Sequence, residues 1–429
     1  MKLPAYPRYK PSGVEWLGDV PEHWATTRFR FCVLSSNAGE VIDRSFWHSG
    51  EELLFSCQRE SMLSDFPDFP ARKRTTANDL LVTRNGTPYV HLPPANAIYS
   101  NVVQRCTLKS GILGNFIALA LETACERLRG DGYGVSIPSF SYEKWCDLPL
   151  VSPPPAEQRA IAAFLDRETE RLDQLMAKKR QLIERLKEKR TALISRTVTR
   201  GLPPAAARAA GLPENPSLKS SGLDWLGDIP AHWRVMALKW RSRCHSGDSI
   251  ATEDATPEPT PERNVPVIGG NGVMGYCDSS NCEHPVLVIG RVGALCGNVH
   301  LIAPPAWITD NALVMPTDAA TFSQKYLAAV LRTRNLNELA DKTAQPLITG
   351  TRVRNERIPV PPLPEQTAIA AYLDEETAKL DALVGTVEEA VERLQEYRTA
   401  LITAAVAGKI DVRGSVDVRP GKKVTSASP

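Results

Sequence analysis

The residues best suited to chemistry by type and spacing lie in the second half of the chain. Cys277, Cys282, His284, Cys296 and His300 gather within 24 residues. Thiolates and imidazoles are zinc ligands, but a structural zinc site draws on four of them at regular spacings. Here the spacing is irregular and no Cys-x-x-Cys pair occurs, so buried free thiols are expected and no metal is assigned. His23 and Asp19 form a second tempting pair, in the phrase WLGDVPEHW. They have no partnered nucleophile, so a structural histidine is the expectation. No G-x-x-x-x-G-K-[ST] loop is present: Gly408-Lys409 and Gly421-Lys422 lack the upstream glycine and the following hydroxyl residue. The Pro-Pro pairs at Pro93, Pro153, Pro203, Pro304 and Pro361 belong to no Asn-Pro-Pro-aromatic segment. The expectation is therefore a non-catalytic protein that binds no cofactor of its own.

The elements that carry these residues come in two copies. WLGDVPEHW at Trp16 returns as WLGDIPAHW at Trp225, with His232 in the place of His23. Further matches follow in order. Gly39-Glu40 aligns with Gly247-Asp248, LLVTRNG (from Leu80) with VLVIGRVG (from Val286), and FIALAL (from Phe116) with YLAAVL (from Tyr326). The strongest match is PPPAEQRAIAAFLDRETERLDQL over PPLPEQTAIAAYLDEETAKLDAL, from Pro153 and Pro361, an offset of 208 that holds to RTALI at Arg190 and Arg398. A period this long lies far above that of a solenoid repeat, so a whole domain with its helix has been duplicated.

Each half opens with a mixed segment of roughly 130 residues, in which β-branched runs bounded by Gly, Asn and Pro predict strands. A long helix then follows the Pro-rich breaker. Apolar positions at alternating steps of four and three predict the pairing seam: Ile161, Leu165, Leu172, Leu175, Leu182, Leu186 and Leu193 in the first copy. In the second they are Ile369, Leu373, Leu380, Leu383, Leu394 and Leu401. Some 35 to 40 residues at 1.5 Å each make a rod of about 50–60 Å. Residues 156–200 carry 12 Lys+Arg against 7 Asp+Glu, and 364–413 carry 5 against 10. One helix is thus basic and its copy acidic, which favours pairing with each other over self-pairing; run antiparallel, they would hold the two mixed domains at opposite ends of a rod. The alternative is that each helix packs only on its own domain. The fold class expected is α+β, two similar mixed domains separated by two long antiparallel coiled-coil helices with internal pseudo-twofold duplication.

The bulk numbers set the compartment. Nine cysteines without a paired framework fit a reducing cytoplasm. No apolar run is long enough to cross a bilayer, and MKLPAYPRYKPSG lacks a signal-peptide core. Net charge is only +2, so any nucleic-acid contact must be local.

These features resemble the specificity subunits of type I restriction–modification systems. The resemblance rests on the duplicated PPxxEQxxIAxxLD that leads into each long helix, on the distinct segment before each copy, and on the Trp-Leu-Gly-Asp-x-Pro-x-His-Trp lead-in. It implies target-recognition domains at 12–152 and 221–360, each reading one half of a split DNA sequence. Spacer helices at 153–200 and 361–410 would set the gap, with a linker at 201–220 and a flexible tail at 411–429. It further implies double-stranded DNA, two modification (methyltransferase) subunits and restriction subunits as partners, with S-adenosylmethionine, ATP and Mg held by those subunits. One turn of B-DNA is about 34 Å, which a rod of the expected length can span.

The recognition segments are near neutral, so contacts are expected from clusters and loops: Arg72, Lys73, Arg74, Arg84, Asn85, Gly270, Asn271, Arg291, Arg352 and Arg354. Arginine pairs bidentately with guanine and asparagine with adenine, and glycine lets the backbone approach the sugar-phosphate edge. Each of these also fits a solvated charge or a turn. Arg84 and Arg291 align between the copies, so they also fit a role in the fold, because residues that read different half-sites should differ. Two other functions stay open here: a coiled-coil scaffold that binds only proteins, and a fusion of recognition with nuclease or methyltransferase activity.

Overall fold

A computed structural model describes residues 3–15, 17–84, 87–130, 141–341 and 346–415. The chain divides into two compact units. One comprises Met1–Lys179 with Glu389–Pro429, and the other comprises Arg180–Glu388. Each unit therefore owns one mixed domain, the half of its own long helix next to that domain, and the opposite half of the other helix.

Within the first unit an antiparallel sheet runs in the order Val33–Ala38, Val103–Leu108, Asp79–Thr83, Val90–His91. The second unit repeats it as His245–Ser246, Ala312–Met315, Val286–Gly290, Val299–Ile302. The LLVT and VLVIG runs expected as strands are the fully buried interior strands. Burial on both faces explains why they are apolar at every position rather than alternating. Leu80 and Val82 turn to a core shared with the helix Gly114–Gly130, while Leu81 turns to a second core with Leu54 and Tyr99. The second unit divides the same way: Leu287 and Ile289 face the helix Gln324–Arg334, and Val288 faces the other core.

A three-stranded sheet covers the far face in each unit. Its order is Met62–Ser64, Trp47–Phe55, Ile98–Tyr99 in the first and Gly272–Cys277, Val265–Gly269, Trp307–Ile308 in the second, the last strand parallel in both. The repeated Gly39 and Gly247 have the same local cause. A Cβ on either would collide with a carbonyl, that of Tyr99 or of Ile308, where the chain bridges to the parallel strand.

The long helices run Pro155–Arg200 and Leu363–Val406. In the first unit the Arg398 Nε donates to Asp173 Oδ1 at 3.0 Å, and in the second the Arg190 Nε donates to Asp381 Oδ1 at 2.9 Å. Within each unit the contact joins the two long helices, Asp173 to Arg398 in the first and Arg190 to Asp381 in the second. The 208-residue offset also maps Asp173 onto Asp381 and Arg190 onto Arg398. The same bond is made twice with the helices exchanged, as pseudo-twofold duplication requires.

The seam departs from the expected one in phase. Ile161, Leu165 and Leu172 are buried, but the path then takes Met176 and Ile183. Leu175 and Leu182 are 42% and 44% exposed. In the second helix Ile369, Leu373 and Leu380 lead to Val391 and Leu401, and Leu383 is 52% exposed. Leu186, Leu193 and Leu394 are half-buried. A straight helix of 3.6 residues per turn moves 100° per residue, so stepping three from Leu172 instead of four reaches the neighbouring face.

The expected linker and tail are also partly structured. Within 201–220, Pro204–Ala209 is a helix with Ala207 buried, and Leu218–Ser220 pairs with Asp228–Pro230. The equivalent pair in the first unit, Tyr9–Pro11 with Asp19–Pro21, begins before residue 12. The start of the tail is docked: Asp411 N donates to Pro4 O at 2.7 Å and Val412 is fully buried. Residues 416–429 lie outside the described residues.

Candidate nucleic-acid interface

The repeated tryptophan phrase is built around a buried carboxylate. Trp24 Nε1 donates to Glu157 Oε2 at 2.9 Å, and His23 Nε2 lies 2.7 Å from Glu157 Oε1. In the second unit Trp233 Nε1 donates to Glu365 Oε1 at 3.0 Å and His232 Nε2 lies 2.8 Å from Glu365 Oε2. Each glutamate stands in the first turn of a long helix, where a negative charge is favoured by the helix dipole. The neighbouring Gln158 and Gln366 donate from Nε2 to Pro153 O and Pro361 O, both at 2.9 Å. His23, His232 and the two tryptophans therefore anchor the entrance of each domain to its own long helix.

The far end of the other helix meets the same anchor. Gly201 and Gly408, both at positive φ, close the two long helices beside Trp233 and Trp24. Val198 packs in the core with Trp233, and Val406 in the core with Trp24. In the first unit Tyr6 OH adds a bond to Glu157 Oε2 at 3.2 Å, and its burial beside that carboxylate pushes the phenol well above its ordinary range. The Arg413 guanidinium sits 4.9 Å from the Tyr6 ring centroid, and Lys409 Nζ donates to Asp19 O. Asp19 thus contributes a backbone carbonyl, not an acid. Trp16 lies outside the described residues, but the segment that follows it is joined to Lys409–Arg413. The glutamates were missed by reading residues for chemistry. Their signal was co-repetition, since Glu-Gln and Pro-x-His-Trp recur at nearly one offset.

The expected DNA-contact residues separate into two groups. Lys73 pairs with Glu40 at 2.6 Å, and Arg74 Nη2 holds both oxygens of Glu52 at 2.8 and 3.1 Å. Arg291 Nη1 donates to Ser246 Oγ at 3.0 Å and Asp310 O at 3.1 Å, and Arg352 pairs with Asp341 at 2.7 Å. These four cations also tie loops together within their units.

Arg72, Asn271 and Arg354 are exposed and Arg84 is half-buried; Asn85 lies outside the described residues. Gly270 is packed against the Asn311 carbonyl and Gly290, and holds the hairpin that presents Asn271. Asn298 Nδ2 donates to Asn271 Oδ1 at 2.9 Å, and beside this amide pair Val273, Met274 and Leu295 are exposed. An amide can face adenine and an apolar side chain the thymine methyl. Asn298 was not foreseen, because nothing in its sequence neighbourhood repeats or carries charge.

Cys277, Cys282 and Cys296 are buried free thiols. Cys277 donates to Ser279 O and Cys282 to His284 O, while Asn337 donates to Cys296 Sγ. Among the described residues no group of His, Cys, Asp and Glu is placed to hold a metal ion, and no helix is long and apolar enough to cross a membrane.

Known proteins share parts of this pattern. Residues 244–393 match the model of the type I restriction modification DNA specificity domain. The EcoprrI type I restriction enzyme specificity subunit of Escherichia coli is 31% identical over 150 residues, which cover 34% of this chain and 35% of that protein. The matched segment therefore spans about a third of that curated relative. A chain solved in work on complex assembly and conformational transition of the type I R-M system superposes with a TM-score of 0.67. It is 18% identical, over 91% of this chain and 99% of the other. At that identity the likeness is one of fold.

Proposed function

We infer that the whole protein is the non-catalytic specificity subunit of a type I restriction–modification complex, a reading supported by the match of residues 244–393 to the model of the type I restriction modification DNA specificity domain. Each unit reads one half of a split, asymmetric double-stranded DNA site in the cytoplasm. Two modification subunits bring S-adenosylmethionine, and restriction subunits bring the ATP- and Mg-dependent cleavage machinery. The observation that carries this reading is one scaffold built twice with different surfaces. The sheets, the anchor glutamates and the helix contacts repeat, whereas the exposed loop residues do not.

In the second unit Asn271 with Asn298 is the favoured reader, and Arg354 and Arg72 supply local positive charge to their units. Sequence-independent affinity comes from phosphate contacts and specificity from base edges. Exposed Leu175, Leu182 and Leu383 give the helices apolar surface for protein partners. Methylome sequencing with and without the gene is the test. Loss of a single split adenine-methylated motif on deletion is expected, and an unchanged methylome refutes the reading.

A further inference from the structure

One exposed feature is repeated at the same structural position in both units, and neither the scaffold nor base reading uses it. In the first unit the strand Ala25–Arg28 pairs with Pro149–Ser152, and Phe29 N then donates to Leu148 O at 3.0 Å. In the second, Arg234–Ala237 pairs with Arg357–Val360, and Leu238 N donates to Glu356 O at 3.0 Å. Phe29 and Leu238 are fully buried and start a single helical turn, Phe29–Cys32 and Leu238–Trp240. Two residues on, that turn presents Phe31 in one unit and Trp240 in the other, 60% and 70% exposed. A cation precedes each ring: Arg30, and Lys239, whose Nζ lies 5.7 Å from the Trp240 centroid.

One exposed ring alone needs no explanation, but keeping one at equivalent positions of two otherwise divergent units points to a task that both units perform. Base reading is excluded by the same logic, because the half-sites differ. Phosphate contact explains cations but not rings. An aromatic side chain with an adjacent cation is instead the composition of a protein–protein hot spot.

We propose that Phe31 and Trp240 are twin anchors for one protein that binds in two copies, one on each unit, through an apolar pocket bordered by carboxylates. The acidic border follows from the net positive surround: Arg28 and Arg30 share the single Asp147 at one ring, and Lys239 and Arg243 stand beside the Arg241–Asp318 pair at the other. The proposal rests on the specificity-subunit reading, in which that protein is the modification subunit.

The test co-expresses the full chain with the modification subunit of its own operon and counts bound copies by native mass spectrometry. A separate titration of the chain with duplex DNA of random sequence reports backbone contact. Phe31→Ala and Trp240→Ala should each weaken one of the two subunits by tenfold or more, and the double variant should lose both. Phe31→Trp should bind normally, and DNA affinity should not move. Thermal melts of the variants should match the wild type, since neither ring is in a core. A wild type and a double variant that both retain two copies overturn the anchors alone. Retained subunits with weakened DNA binding overturn them too, and assign the rings to DNA. A wild-type chain that captures no modification subunit overturns the reading of the whole protein, and the anchors with it.

Discussion

His91 is buried in the first unit with its ring 5.3 Å from Phe55, and no described residue bonds its Nε2. Burial pulls its imidazole down to about 4 from an ordinary 6.5. In the unfolded chain the ring takes a proton as pH falls below about 6.5, while in the folded unit it stays neutral to about 4. The unfolded state therefore binds more protons across that window, so the contribution to stability is present above 6.5 and is lost as pH falls toward 4. Between pH 7.5 and 5.0 this predicts a loss of roughly 2 kcal/mol in the first unit that His91→Phe does not show. Urea titrations at the two pH values measure it, and equal slopes in both proteins would rule it out.

The anchor glutamate makes a second residue-level case. Glu365→Ala removes the acceptor of the fully buried Trp233 indole and of His232. A cost of about 2–4 kcal/mol is expected, and Glu365→Gln, which keeps an acceptor, should cost less. Equal melting of the alanine and glutamine variants would show that the carboxylate bonds contribute little.

At the scale of elements, the seam and the ion pairs of the long helices differ in weight. Arg190–Asp381 is solvent-exposed on both sides, so a double-mutant cycle should yield no more than about 1 kcal/mol of coupling. Truncating the seam is another matter. Ile183→Ala should cost about 2–4 kcal/mol and Leu182→Ala under about 1 kcal/mol, since only the first is buried. A reversed order would restore the heptad phase read from the sequence.

That phase error shows where sequence reading stops. Repeats, strands and long helices were legible because apolar periodicity and Pro or Gly breaks are local signals. Whether Leu175 or Met176 follows Leu172 is not local, because both steps keep an apolar side chain near the stripe and the packed neighbour decides. The cations were illegible for a related reason. Lys73, Arg74, Arg291 and Arg352 look free in sequence, but Glu40, Glu52, Ser246 and Asp341, up to 45 residues away, each bond one of them.

For the whole molecule, the division into units falls at Lys179/Arg180 in one helix and Glu388/Glu389 in the other. Asp173–Arg398 lies within the first unit and Arg190–Asp381 within the second. If the helices are the spacer, lengthening only one would shift those two ion pairs out of register and unfasten the helix ends from Trp24 or Trp233. Lengthening both, by a seven-residue apolar-patterned insert after Lys179 and another after Glu388, keeps each unit's own contacts. Seven residues add about 10.5 Å of helix, and a base pair rises 3.4 Å. The unspecified gap in the methylated motif should therefore grow, by at most about 3 base pairs, with both half-sites unchanged. Methylome sequencing of cells carrying the double insertion reads gap and half-sites together. A longer gap with the same half-sites assigns spacing to the helices and reading to the units. An unaltered gap in a protein that still methylates removes the spacer role.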